Sequence, residues 1–242
     1  MLWNYESGEL MTEVNDPHQE INNVSIPSNN KYIVSASKSI KIWDFITGDL
    51  IHQLNDIDPN FQKKEVRSIK CTQDGKYLIS GSGDSTIKTW NIETRELVHT
   101  FKEHHRGVSD VSFSPDEKYV ISSSWDKTVK VWEFLKGDIL KTIVANYFES
   151  SPYSSMISPD GNQIISHISF GSINRPSMVK IWDFNTTKLL QTLIWKNGEW
   201  GQINSVKISP KGNYIISCSR NEMINICLSL DYYYELINEL TN

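Results

Sequence analysis

The sequence predicts an all-β chain built of small four-stranded antiparallel sheets, on three observations. One segment recurs at a nearly constant interval, apolar and polar residues alternate with period two inside each recurrence, and a tryptophan occupies one fixed place in it. The segment reads IKIWDFITGDLIHQL around Trp43, IKTWNIETRELVHTF around Trp90, VKVWEFLKGDILKTI around Trp132 and VKIWDFNTTKLLQTL around Trp182. A further copy, LWNYESGELMTEV, opens the chain around Trp3, and a weaker one, INICLSL, puts Cys227 where the indole otherwise stands. These six positions lie 40, 47, 42, 50 and 45 residues apart. A fixed period of that size denotes stacked structural units.

Each period resolves into the same four strands, a to d, seen most plainly in the third. Strand a is VSDVSF, a turn SPDEK follows, strand b is YVISSS, a second turn is WDKT, strand c is VKVWEF and strand d is DILKTI. Alternation and the density of β-branched residues favour strands over helices. The turns TQDG (Thr72 to Gly75), SPDG (Ser158 to Gly161) and SPKG (Ser209 to Gly212) end in glycine, as a tight hairpin with a left-handed residue requires. One such sheet is apolar on both faces and cannot persist alone. Sheets standing face to face around an axis bury both faces, which is the propeller solution. The chain then reads as one domain with strands c and d of a partial blade in 1–14, and blades in 15–54, 55–102, 103–144, 145–194 and 195–242. Cys227 leaves a smaller plug than tryptophan, so the last blade is expected to pack less well.

Strands c and d, four full blades and strands a to c of a fifth make 21 strands, or 22 if the tail YYYELINEL supplies another. Six full blades would require 24. About five and a half blades therefore imply an incomplete or open ring. A chain starting two residues before a blade tryptophan is read as a fragment of a longer protein, or as a ring closed by another chain, because an open ring exposes backbone edges.

Composition excludes several function classes. With 242 residues, 38% of them hydrophobic, the chain can build a core. A net charge of −5 disfavours nucleic acid and acidic membranes. Cys71, Cys218 and Cys227 are too scattered for a disulfide framework or a zinc site. They fit a reducing compartment, so the expected location is cytoplasmic or nuclear. The acidic N-terminus has no leader pattern, and no run reaches the roughly 18 apolar residues of a membrane helix. GSGDST (Gly81 to Thr86) lacks the lysine of a phosphate-binding loop, and no nucleophile elbow or metal set is present. Neither cofactor nor metal is expected, and no enzyme activity.

On the periodic segments and blade tryptophans Trp3, Trp43, Trp90, Trp132 and Trp182, the sequence resembles the WD-repeat family over essentially its whole length. The resemblance implies a hydrogen-bonded tetrad in a blade: His before strand a, Ser or Thr in strand b, Asp in the b-to-c turn and Trp in strand c. Only the third blade matches fully, with His104, a serine among Ser122 to Ser124 (Ser122 in the first instance), Asp126 and Trp132. The second keeps Asp84 and Trp90 without the histidine, and the fifth has Asn221 before Cys227. His167 is read as standing in strand b where a serine is usual.

The resemblance also implies a scaffold that holds other proteins or peptide segments on the face bearing the b-to-c turns. Candidate contacts are Trp125 beside Asp126, Arg220 at the equivalent place in the fifth blade, Trp200 in the loop IWKNGEWGQ, and the basic pair His105 and Arg106. Aromatic and arginine side chains dominate binding hot spots. The competing account of Trp125 is packing on a neighbouring blade, and Trp200 competes with a role as filler where the tetrad histidine is missing. The long turn Ser169 to Ser177 is either a contact loop or a tolerated insertion. Lys41, Lys88, Lys130 and Lys180, each two before a blade tryptophan, are read as spread among blades and not as a nucleic-acid patch. The alternative function is a C-terminal sensing or autoinhibitory propeller of a larger signalling ATPase or kinase.

Overall fold

The computed structural model describes residues 2–4, 6–14, 20–54, 64–145, 151–168, 177–194, 203–219 and 224–228. Their regular structure is all strand, 21 strands among the described residues, arranged in antiparallel sheets of the propeller-blade kind. Contacts divide the chain into two compact units, Met1–Ser112 and Phe113–Asn242.

In the first unit, β1 (Leu2–Trp3) pairs only with β2 (Leu10–Thr12). A four-stranded sheet follows from β3 (Asn23–Ser25), β4 (Tyr32–Ala36), β5 (Ile40–Asp44) and β6 (Leu50–Leu54), in chain order across the sheet. The next consists of β7 (Val66–Cys71), β8 (Tyr77–Ser82), β9 (Ile87–Asn91) and β10 (Leu97–Phe101). The third full sheet begins with β11 (Val108–Phe113) and continues in the second unit with β12 (Tyr119–Ser124), β13 (Thr128–Glu133) and β14 (Ile139–Val144). Then come β15 (Pro152–Ile157), β16 (Gln163–Ile168), β17 (Met178–Asp183) and β18 (Leu189–Ile194), and last the three-stranded β19 (Ile203–Ile208), β20 (Tyr214–Ser219) and β21 (Ile224–Leu228).

Period-two alternation gives each sheet two distinct faces. In β4 and β5, Ile33 pairs with Trp43, so Ile33, Ser35 and Trp43 share one face, the indole face. Val34 pairs with Ile42 and Ala36 with Ile40 on the other, the aliphatic face. The aliphatic face of one sheet packs on the indole face of the next. Val34, Ala36, Ile40 and Ile42 meet Val66, Ile69, Leu78 and Trp90 in one core of the first unit. In the second unit Ile121, Val129 and Val131 meet Ile157, Ile164 and Trp182, while Ile165, Val179 and Ile181 meet Val206 and Ile215. Each fully buried aliphatic side chain contributes about 1.5–3 kcal/mol. The core is thus a series of joints between sheets, and no single sheet owns it.

The joints are close. A Cβ placed on Gly81 would lie 2.7 Å from a Val108 methyl and 2.9 Å from a Val111 methyl, so glycine there permits the approach. In the register of strand b, Ala36 and Ser123 occupy the same place as Gly81. Ser123 turns the proximity into a bond, its hydroxyl lying 2.7 Å from that of Ser155 on the next sheet. Asparagine 22 similarly donates to the Val66 carbonyl at 3.0 Å.

The a-to-b turns close as their sequence predicts. Thr72 and Ser114 accept the backbone N–H of Tyr77 and Tyr119, each at 3.0 Å, and donate to Asp74 and Asp116 at 2.6 and 2.7 Å. Gly75, Gly161 and Gly212 have φ of +73°, +80° and +78°. In the third blade Glu117 takes that conformation at +56°, a cost glycine avoids.

Trp3 departs from the expectation of an indole held between blades. It is 56% exposed, because β1 has neither a strand-b partner nor a covering sheet among the described residues.

Candidate functional site

The indoles of the four full sheets are fixed in one way. Trp43, Trp90, Trp132 and Trp182 are buried, and each Nε1–H donates to a strand-b serine: Ser35 at 2.9 Å, Ser80 at 3.1 Å, Ser122 at 2.8 Å and Ser166 at 3.1 Å. Of the three serines considered for the third blade, Ser122 receives the indole. Ser166 holds that place in the fourth, so His167 is one residue beyond it, in the position of Ala36, Gly81 and Ser123. In the last sheet Ser217 is fully buried and its hydroxyl has no partner among the described residues. Cys227 supplies no indole N–H there, which is why the serine is orphaned. The Cys71 thiol is pushed up to about 11 by burial and behaves as a small hydrophobe.

Asp126 closes the turn between β12 and β13. Its Oδ1 accepts the Thr128 N–H at 2.9 Å and the Thr128 hydroxyl at 2.6 Å. Asp84 does the same for Thr86 in the second blade, at 2.8 and 2.7 Å. His104 is buried in the segment before β11, in the first unit, whereas Ser122, Asp126 and Trp132 belong to the second. The aspartate or asparagine that follows the strand-c tryptophan in the first, second and fourth full sheets has a separate task, which sequence reasoning missed. Asp44 Oδ1 accepts the N–H groups of Ile46 and Thr47, and Asn91 Oδ1 those of Glu93 and Thr94. The acidic or amide residue after the tryptophan is the signal that could have revealed this turn cap.

Trp125 stands on the Asp126 turn and is 38% exposed. The turn beneath it is braced on several sides. The Asp126 N–H donates to the Ser124 hydroxyl at 3.1 Å, the Lys127 N–H to the Ser124 carbonyl at 3.1 Å, and Ser151 Oγ to the Trp125 carbonyl at 3.1 Å. His105 and Arg106 are exposed in the first unit, on the segment leading into β11. Trp200 and Arg220 lie outside the described residues, as do Asn221 and positions 169–176 of the long turn.

The strand-c lysines are not a displayed basic stripe. Being two residues before a tryptophan, they share its sheet face. Lys88 and Lys130 are buried, and Lys130 reaches the Thr142 hydroxyl at 3.2 Å. Lys180 donates to the Ala145 carbonyl at 2.8 Å and lies 5.5 Å from the Trp182 ring. Lys88 is pushed down to about 8 by burial, with the like charge of Lys102 adding to it. The Lys88 ammonium lies 3.9 Å from the Asp84 carboxylate. Among the described residues no three His, Cys, Asp or Glu side chains gather where a metal could be held, and no helix is long and apolar enough to cross a membrane.

Comparison with known proteins matches three family models: the first β-propeller of WD repeat-containing protein 75 over residues 70–169, the WD40 domain of anaphase-promoting complex subunit 4 over 28–110, and the WD domain, G-beta repeat, over 9–44 and 187–226. The chain is 34% identical over 121 residues to coatomer subunit beta'-1 of Arabidopsis thaliana, covering 46% of this chain and 12% of that protein. It is 24% identical over 265 residues to human cilia- and flagella-associated protein 52, covering 92% of this chain and 41% of the relative. Human striatin is 32% identical over 80 residues, 31% of this chain and 10% of striatin. The chain thus spans less than half the length of these relatives. Recurring segment, paired indole and serine, two-faced sheets and matched models agree: the chain belongs to the WD-repeat family.

Proposed function

We propose that the chain is a non-catalytic scaffold that holds segments of other proteins, with Trp125 as a principal contact. The observation that carries this reading is an indole displayed on a turn that is itself immobilised. A rigid platform loses little entropy on binding, and a partly exposed aromatic supplies contact area at low conformational cost. The similar coatomer subunit, by its name a part of a larger assembly, fits the same class of role. Burial of Lys88 and Lys130 supports protein over nucleic acid as the partner class, since phosphate binding needs several accessible cations. His105, Arg106, Trp200 and Arg220 are proposed as further contacts, and His104, Ser122, Asp126 and Trp132 as the structural set behind them.

The test is selection of peptides from a random displayed library on the immobilised chain, followed by affinity measurement against Trp125→Ala and Trp3→Ala. Trp3 is exposed but stands on no braced turn of this kind, which makes it the control. Trp125→Ala is expected to weaken the selected peptides by about tenfold or more, as loss of a hot-spot aromatic does, with circular dichroism unchanged. Trp3→Ala should leave affinity alone. Equal binding by wild type and Trp125→Ala would remove Trp125 from the contact surface.

A further inference from the structure

The joints between sheets obey one rule, and among the described sheets of three or more strands two faces are left over from it. Opposite the strand-b serine, on the indole face, stand Ile69 facing Ser80, Ser155 facing Ser166 and Val206 facing Ser217. All three are buried to 2% or less by the aliphatic face of the preceding sheet. Val24 faces Ser35 in the same register but is 49% exposed. Strand β2 does not cover it, since Thr12 reaches the β5–β6 turn instead, donating to the Ile46 carbonyl at 2.8 Å.

The other leftover is the aliphatic face of β19–β21. Ile216 occupies the strand-b place of Val34, Ile79, Ile121 and Ile165, which are all buried to 1% or less, yet it is 38% exposed. Its partner Ile226 holds the strand-c place of Ile42, Val131 and Ile181, and is 65% exposed. Tyr214 continues this patch. What covers such a face is known from the joints within this chain: the indole face of another sheet, with Ile69, Ser155 or Val206 opposite the serine. Among the described sheets of three or more strands, the uncovered example of that partner is at Val24.

We infer that these two faces form a head-to-tail joint between copies of this chain, with Tyr214, Ile216 and Ile226 of one copy seated on the Val24 face of a second. The two surfaces differ, so the contact is heterologous and can propagate beyond a pair. It involves neither Trp125 nor its turn, and so stands or falls separately from the peptide-docking reading.

Sedimentation velocity of the purified chain across a wide concentration range, with Val24→Lys and Ile226→Lys, tests it. Both positions are exposed, so circular dichroism should be unchanged. The wild type should self-associate, and each variant alone should sediment as a monomer. An equimolar mixture of the two variants should form a dimer and nothing larger, because it contains one intact pair of faces. Trp125→Ala should associate like wild type. A wild type that stays monomeric throughout, or variants that associate as wild type does, would overturn the inference. So would a disulfide formed inside a single monomer by the pair Val24→Cys and Ile226→Cys, which would place the covering face in the same copy.

Discussion

Trp132→Ala is expected to destabilise the chain by about 3–5 kcal/mol, the range for deleting a large buried aromatic. The indole is buried to 1% and its N–H satisfies Ser122 at 2.8 Å. Truncation leaves a cavity and removes the hydrogen bond from the indole to Ser122. Trp3→Ala is the matched comparison: the same residue type at the same repeat position but 56% exposed, with an expected cost within about 0.5 kcal/mol. Urea unfolding followed by circular dichroism reads both. Equal losses for Trp3 and Trp132 would show that burial at the joint is not what the indole contributes.

The second large effect is a loss of stability on mild acidification, centred on His167. This imidazole is 1% exposed, neither ring nitrogen has a hydrogen-bond partner among the described residues, and the Tyr153 ring lies 5.9 Å away. Burial pushes its pKa down to about 4, from an ordinary 6.5. The unfolded chain takes up a proton as pH falls through about 6.5, while the folded chain resists until about 4. Stability is therefore full above the upper value, declines between the two, and reaches a deficit of about 3 kcal/mol at the lower. His167→Ser, which installs the side chain that Ser123 shows to fit this register, should flatten the decline. Asp44, Asp74, Asp116 and Asp183 do not blur the reading. Hydrogen bonds within their turns, led by the Thr47 N–H and by the hydroxyls of Thr72, Ser114 and Thr186 respectively, hold their carboxyls below the ordinary value. Their contribution is present above about pH 4 and is lost only below it. Unfolding midpoints at pH 7 and pH 4.5 for both proteins decide the matter, and an undiminished slope in His167→Ser would assign the acid sensitivity elsewhere.

Much of this architecture was legible because its causes are local. Alternation in YVISSS and VKVWEF sets the two faces, and β12 and β13 form at Tyr119–Ser124 and Thr128–Glu133. Glycine at the end of SPDG fixes a left-handed turn, as at Gly161. Less legible was whatever depends on the neighbouring sheet. Trp3 has the right sequence around it but no sheet to cover it. His167 reads as a replaced serine until the register shows Ser166 in that place and the histidine in a slot otherwise taken by alanine, glycine or serine. The lysine stripe looked like charge spread among blades, whereas sharing a face with the tryptophans draws Lys88 and Lys130 into the interior. For the candidate contact surface, the sequence identified Trp125 as a turn residue, but the bracing by Ser151 is tertiary and left no mark in local pattern.

The most direct measurement of the central claim, that sheets shield one another with indoles fixed between them, is hydrogen exchange at the tryptophan Nε1–H groups followed by NMR. Trp43, Trp90, Trp132 and Trp182 should exchange only through large-scale opening, and Trp3 at close to the rate of a free indole. Rapid exchange at all five, at similar rates, would contradict the account.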